Sequence, residues 1–122
     1  MSEEIKKELL AGGIDIEGIY KRLPGMDSLI QRLLLKFPNE QCYGDLIEAM
    51  EQQDYRKAFE HAHNLKGVSA NLEMHPLFEH VSQLVEKLRV EGNATTQEME
   101  EEMNVIKKDY ETVIETIKRV LG

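Results

Sequence analysis

Apolar residues in this chain recur at intervals of three and four, and no stretch alternates with period two over any length. The clearest run lies near the C-terminal end. There Met99, Met103, Ile106, Tyr110, Val113, Ile117 and Val120 are spaced 4-3-4-3-4-3, one face of a long helix. Thr95 and Glu98 form a capping box at its start. Before it, Leu77, Val81, Leu84 and Leu88 repeat at 4-3-4, with Phe78 and Val85 beside them and Pro76 suited to the first turn. Gly92-Asn93 makes the turn between the two. Upstream, the pattern predicts a helix over about residues 55–73, with Asp54 as N-cap. Another helix carries Tyr43, Leu46, Ile47 and Met50, and another Leu29, Ile30, Leu33, Leu34 and Phe37, with Asp27 as its N-cap. Pro38 breaks or kinks the chain between those two. Two short helices precede them, one over 3–11 ended by Gly12-Gly13, the other carrying Ile14, Ile16, Ile19, Tyr20 and Leu23 and stopped by Pro24-Gly25.

The connections are short, so neighbouring helices run antiparallel. The expected fold is all-α: an up-and-down antiparallel four-helix bundle with a short N-terminal helical cover. The 122 residues suit one domain, 1–122, large enough to build a core without staples. The single cysteine, Cys42, leaves no disulfide framework and no zinc cluster, which fits a reducing cytoplasm. No apolar run approaches the roughly 18 residues of a membrane span, and Met1-Ser2-Glu3-Glu4 does not open a signal peptide. A net charge of −8 argues against nucleic acid as partner, because phosphate backbones call for a basic stripe.

The helix over 55–73 carries the candidate chemistry. With about 100° per residue and His63 at 0°, Ala58, Ala62, Leu65, Val68, Ser69 and Leu72 fall at roughly 140–260° and form the buried stripe. His63 points into water. Lys66, Gly67, Ala70 and Met74 fall within roughly 60° of it. Helical side chains lean toward the N-terminus, so Lys66 reaches back toward an anion on His63. Gly67 has no side chain to lean over the imidazole, although a mid-helix glycine costs about 1 kcal/mol relative to alanine. Imidazole is nucleophilic when neutral and has an unperturbed pKa of about 6.5, so it attacks an activated phosphate near neutral pH to give a phosphoramidate. Lys66 offsets part of the added negative charge. No nearby residues suit tight Mg²⁺ binding or water activation, so any catalytic metal is expected from the partner.

The run Ala62-His63-x-Leu65-Lys66-Gly67-x-Ser69-x-x-Leu72 resembles the signature of histidine phosphotransfer (HPt) domains. Gly13-Ile14-Asp15-Ile16-Glu17 with Arg22-Leu23 resembles the usual opening of that family, so the resemblance spans roughly residues 13–120 and leaves 1–12 as an N-terminal extension. Glu73 departs from the pattern, since the family commonly has glycine after the final leucine. The resemblance implies a four-helix bundle whose exposed histidine exchanges phosphoryl groups with receiver-domain aspartates. On that match His63 is the phosphoacceptor, Lys66 the phosphate-side cation and Gly67 the access residue.

Blander readings stand beside these. His63 alone would be an ordinary surface histidine, and Lys66 alone a solvated lysine. His61, near 160° on the same wheel, is expected to be half-buried with a hydrogen-bonded partner, and the two histidines point too far apart to share a metal. His75 belongs to the turn before Pro76 and His80 to a solvated face, neither with a second ligand spaced to help. Phe59, with Ala70 and Met74, forms either a partner-docking patch or a surface covered by a neighbouring helix. The acidic run Glu98, Glu100, Glu101 and Glu102 reads as a solvated helix start. The leading expectation is a cytoplasmic, monomeric phosphocarrier rather than an enzyme. It has no cofactor of its own, takes Mg²⁺ from its partner, and serves receiver domains of response regulators or hybrid histidine kinases. Two alternatives are the phosphoacceptor domain of a chemotaxis-type kinase and a non-phosphorylated helical adaptor for receivers.

Overall fold

A computed structural model describes residues Met1–Gly122. The chain forms α1 (Glu3–Ala11), α2 (Ile16–Arg22), α3 (Asp27–Lys36), a short 3₁₀ turn η1 (Phe37–Asn39), α4 (Cys42–Glu51), α5 (Tyr55–Asn71), α6 (His75–Arg89) and α7 (Thr96–Leu121). In the bundle α4 packs on α5, α5 on α6 and α6 on α7, and α3 closes the ring against α7. Pro38 separates α3 from α4 through η1, so these two together supply the fourth side. α1 covers α7 and leans on α2.

The 4-3 stripe of α7 does what its spacing predicts. Met99, Met103, Ile106, Val113 and Ile117 are buried, Tyr110 and Val120 half-buried. Tyr110 stacks on Tyr43 with ring centroids 3.5 Å apart, which ties α7 to α4. Thr95 caps α7 by accepting from Glu98 N at 3.1 Å, and its hydroxyl donates to the Glu98 carboxylate at 3.2 Å. Glu102 is an exception to the solvated acidic start. It is only 6% exposed and takes a 2.9 Å salt bridge from Lys87 of α6. A carboxylate removed from water in this way requires such a cation.

Three helices end by the same device. In each, two backbone N–H groups fold back onto the last-turn carbonyls, with a left-handed residue between helix and next segment. Gly13 (φ 94°) closes α1, Gln53 (φ 55°) closes α4 and Glu73 (φ 52°) closes α5. At α5 the bonds are Glu73 N to Ala70 O at 3.2 Å and Met74 N to Ser69 O at 2.9 Å. Gly12 has a different constraint. A Cβ there would collide with the side chain of Thr116, so glycine allows α1 to lie against α7. Asp27 does not cap α3. Its carboxylate is held by the Tyr20 hydroxyl at 2.5 Å and the Met1 ammonium at 2.7 Å, while Met26 takes the cap position without a side-chain bond.

Candidate functional site

α5 carries the candidate residues on a helix whose ends are set locally. Asp54 accepts from Lys57 N at 3.2 Å at the start. The buried stripe consists of Ala58, Ala62, Leu65 and Ser69, and the Ser69 hydroxyl donates to Lys66 O at 3.0 Å, which satisfies it within the core. With that face fixed inward, His63 is exposed, and its ring makes no hydrogen bond and no ion pair. Both ring nitrogens are therefore unengaged.

Lys66, three residues on, is half-buried and forms no salt bridge. Its charge still reaches α6. Glu86 has its carboxyl held below the usual range, chiefly by hydrogen bonds from Arg89 at 3.1 and 3.2 Å, with Lys66 adding a smaller attraction. Gly67 is exposed, and a Cβ built on it would meet nothing within 4 Å. Close helix packing therefore does not require the glycine. Ala70 is exposed on the same side.

Phe59 lies between the two readings given for it. It is half-buried against the core, its ring stacks near His63 with centroids 6.2 Å apart, and the Arg89 guanidinium sits 5.5 Å from its centre. Arg89 thus belongs to the surroundings of the site. No local sequence signal could have found it, because its position depends on how α6 is aligned with α5. Across the other flank of His63 lies an open groove toward the start of α4, with Glu40, Gln41, Cys42 and Asp45 on its far wall. Cys42 is half-buried, and burial with the Glu40 charge pushes its thiol up, away from the reactive thiolate.

The structure removes Met74 from the docking patch. α5 ends at Asn71, and the turn through Glu73 carries Met74 into the core, where it is 0% exposed. An apolar residue just past a helix end of this kind packs back on the last turn, which is the physical reason for its burial. The 100° spacing holds only as far as Asn71, so it does not describe Met74. His61 is half-buried as expected, but no side chain bonds to it; it lines the groove beside His63. His80 is not simply solvated, since its Nδ1 lies 2.5 Å from Asp109 Oδ2 across α6 and α7. His75 is the first residue of α6, and Asp15 and Glu73 both stand within reach of its ring.

The model of the Hpt domain family matches residues 29–117. The chain belongs to the Hpt domain family. The match runs from α3 to near the end of α7 and so takes in the whole four-sided bundle. The Hpt family works in histidine phosphotransfer within phosphorelays and interacts with receiver domains. No curated protein and no solved structure matches the chain. No helix of this Hpt domain is long and apolar enough to cross a membrane. α7 has the length, but it is charged along its outer face.

Proposed function

We propose that this Hpt protein is a phosphocarrier whose His63 takes a phosphoryl group from a receiver-domain aspartate and passes it to another receiver. The observation that carries this reading is the state of His63: exposed, free of hydrogen bonds, with an unpaired lysine one turn on and a glycine that packing does not require. A ring nitrogen of His63 attacks phosphorus in line, the aspartyl oxygen leaves as carboxylate, and the imidazole proton goes to solvent. The reverse sequence on a second aspartate regenerates the imidazole. Lys66, without an anionic partner to give up, swings its ammonium to the phosphoryl oxygens. Gly67 and Ala70 leave room for the receiver to approach, and Phe59 offers an apolar contact beside the ring.

Catalytic power in such an exchange comes from the receiver's acidic pocket and its Mg²⁺, so the chain is a carrier rather than a free-standing catalyst and needs no cofactor of its own. A cytoplasmic monomer serving receivers of response regulators or hybrid kinases suits this role. The test incubates the protein with a phosphorylated receiver and looks for acid-labile, base-stable phosphate, with His63→Gln alongside. Label on the wild type and none on the variant supports the assignment. Label retained on the variant refutes it. A folded protein that takes no label from several receivers would favour the adaptor reading, or a dedicated kinase as donor.

A further inference from the structure

We infer that Asp15, Glu73 and His75 form a binding site for a divalent transition-metal ion of the zinc class. They come from two parts of the chain: Asp15 is the N-cap of α2, while Glu73 and His75 flank Met74 in the turn that leads from α5 into α6. His75 Nε2 stands 3.1 Å from Asp15 Oδ2 and 3.3 Å from Glu73 Oε2. One donor atom from each of the three lies within 4.8 Å of the others. Donors bound about 2.1 Å from one ion are separated by about 3.0–3.4 Å at octahedral or tetrahedral angles. The two measured separations fall in that interval, the third pair stands within 4.8 Å, and the ion would take the place of the proton now shared between His75 and Asp15.

The backbone around the cluster is already fixed. Asp15 N donates to Glu73 O at 2.9 Å, and Gly18 N donates to Asp15 Oδ1 at 3.1 Å, which leaves Oδ2 turned toward His75. Gly18 makes the space. A Cβ there would stand 2.9 Å from Asp15 Oδ2 and 3.1 Å from Glu73 Cδ, so a side chain would crowd both carboxylates. His75 is 58% exposed at its side chain, which leaves an open side where water completes the coordination. The donor set also chooses the metal. One imidazole nitrogen with two carboxylate oxygens suits zinc, cobalt or nickel, whereas calcium and magnesium prefer oxygen alone. The surrounding charges oppose each other. Arg22 sits 3.4 Å from Glu73 Oε1 and also donates to Asn71 O, and Lys21 acts weakly on Asp15. Arg22 engages the Glu73 oxygen that the ion does not use, but its charge opposes binding. The site lies beyond the end of α5, about 12 Å of helix axis from His63, so it does not depend on the phosphotransfer reading.

The experiment titrates the full chain with zinc by calorimetry and follows the histidine ring nitrogens by NMR. The expected result is one ion per chain with the His75 ring shifted and the His63 ring unmoved. His75→Ala, Asp15→Asn and Glu73→Gln should each weaken binding about tenfold or more, and Arg22→Gln should tighten it by removing the competing cation. Circular dichroism checks that each variant is folded, and the wild-type ring shifts decide the matter if one is not. No saturable binding up to millimolar zinc would overturn the inference. So would unchanged affinity in folded His75→Ala, which would put the ion on other histidines.

Discussion

Phe59 and His63 lie one turn apart on α5, with ring centroids 6.2 Å apart and planes within 17° of parallel. The phenyl group therefore forms the apolar edge of the imidazole's surroundings while its other contacts hold it to the core. Phe59→Ala should lower stability by about 1–3 kcal/mol, less than a fully buried phenylalanine loses. It should also raise the Kd for a receiver domain about tenfold, as loss of an aromatic anchor does. Urea unfolding and calorimetry on the same variant measure the two effects. An unaffected Kd would leave Phe59 a core residue only.

Gly67 separates stability from function. Because a Cβ at that position meets nothing within 4 Å, Gly67→Ala should stabilise the protein by about 1 kcal/mol through helix propensity alone. Gly67→Gln should gain a similar amount yet slow receiver-to-His63 transfer at least tenfold in single-turnover measurements. A glycine kept for helix packing would give the opposite sign in the unfolding experiment.

The two left-handed helix ends without glycine make a matched pair. Gln53 (φ 55°) is exposed and its side chain makes no hydrogen bond, so Gln53→Gly should stabilise by about 1 kcal/mol through relief of the backbone. Glu73 (φ 52°) has the same strain, but its carboxylate engages Arg22 and His75. Glu73→Gly should therefore gain less than Gln53→Gly. Denaturant midpoints for the two single variants give the comparison.

Alkaline pH should weaken the α4–α7 contact. Burial, helped by Glu111 and Tyr110, pushes the Tyr43 phenol from its ordinary value of 10.0 up to about 12. The folded chain then holds this proton more tightly than the unfolded chain. The associated stability is fully present below pH 10 and is lost as pH rises toward 12. Urea midpoints between pH 8 and 11.5 should fall for the wild type and fall less for Tyr43→Phe.

Gly12→Ala should destabilise by about 1–3 kcal/mol, because the added methyl group meets the Thr116 side chain between α1 and α7. Loss of protection from hydrogen exchange confined to α1 would show which contact gave way.

The features legible in the sequence were those with local causes. Asp54 and Thr95 cap their helices because a short oxygen-bearing side chain can reach its own backbone, and the α7 stripe follows from a repeat of three and four. His63, Lys66 and Gly67 came out on one open face for the same reason: their angles depend on one helix only. Met74, Asp27, His75 and Arg89 depended on chain returns. Asp27 carries an apparent cap signal that Tyr20 and the Met1 ammonium outcompete, and Asp15 meets His75 across 60 residues. The sequence pattern ends the helix near Glu73, but with the usual glycine missing it does not mark Glu73 as a left-handed turn residue beyond Asn71; the apolar Met74 after it is the available clue.

The buried bridge between Lys87 and Glu102 has a consequence for registration. The α7 stripe nearly repeats itself every seven residues, so sliding the helix by two turns would bring apolar groups back onto apolar groups at small cost. It would not bring Glu102 back to Lys87. Lys87–Glu102 and His80–Asp109 stand one heptad apart on both helices, so a seven-residue slide would leave one of the two pairs unmatched; the charged contacts, more than the apolar ones, tell the native alignment from its neighbours, much as a key on a shaft prevents rotation that friction alone would allow.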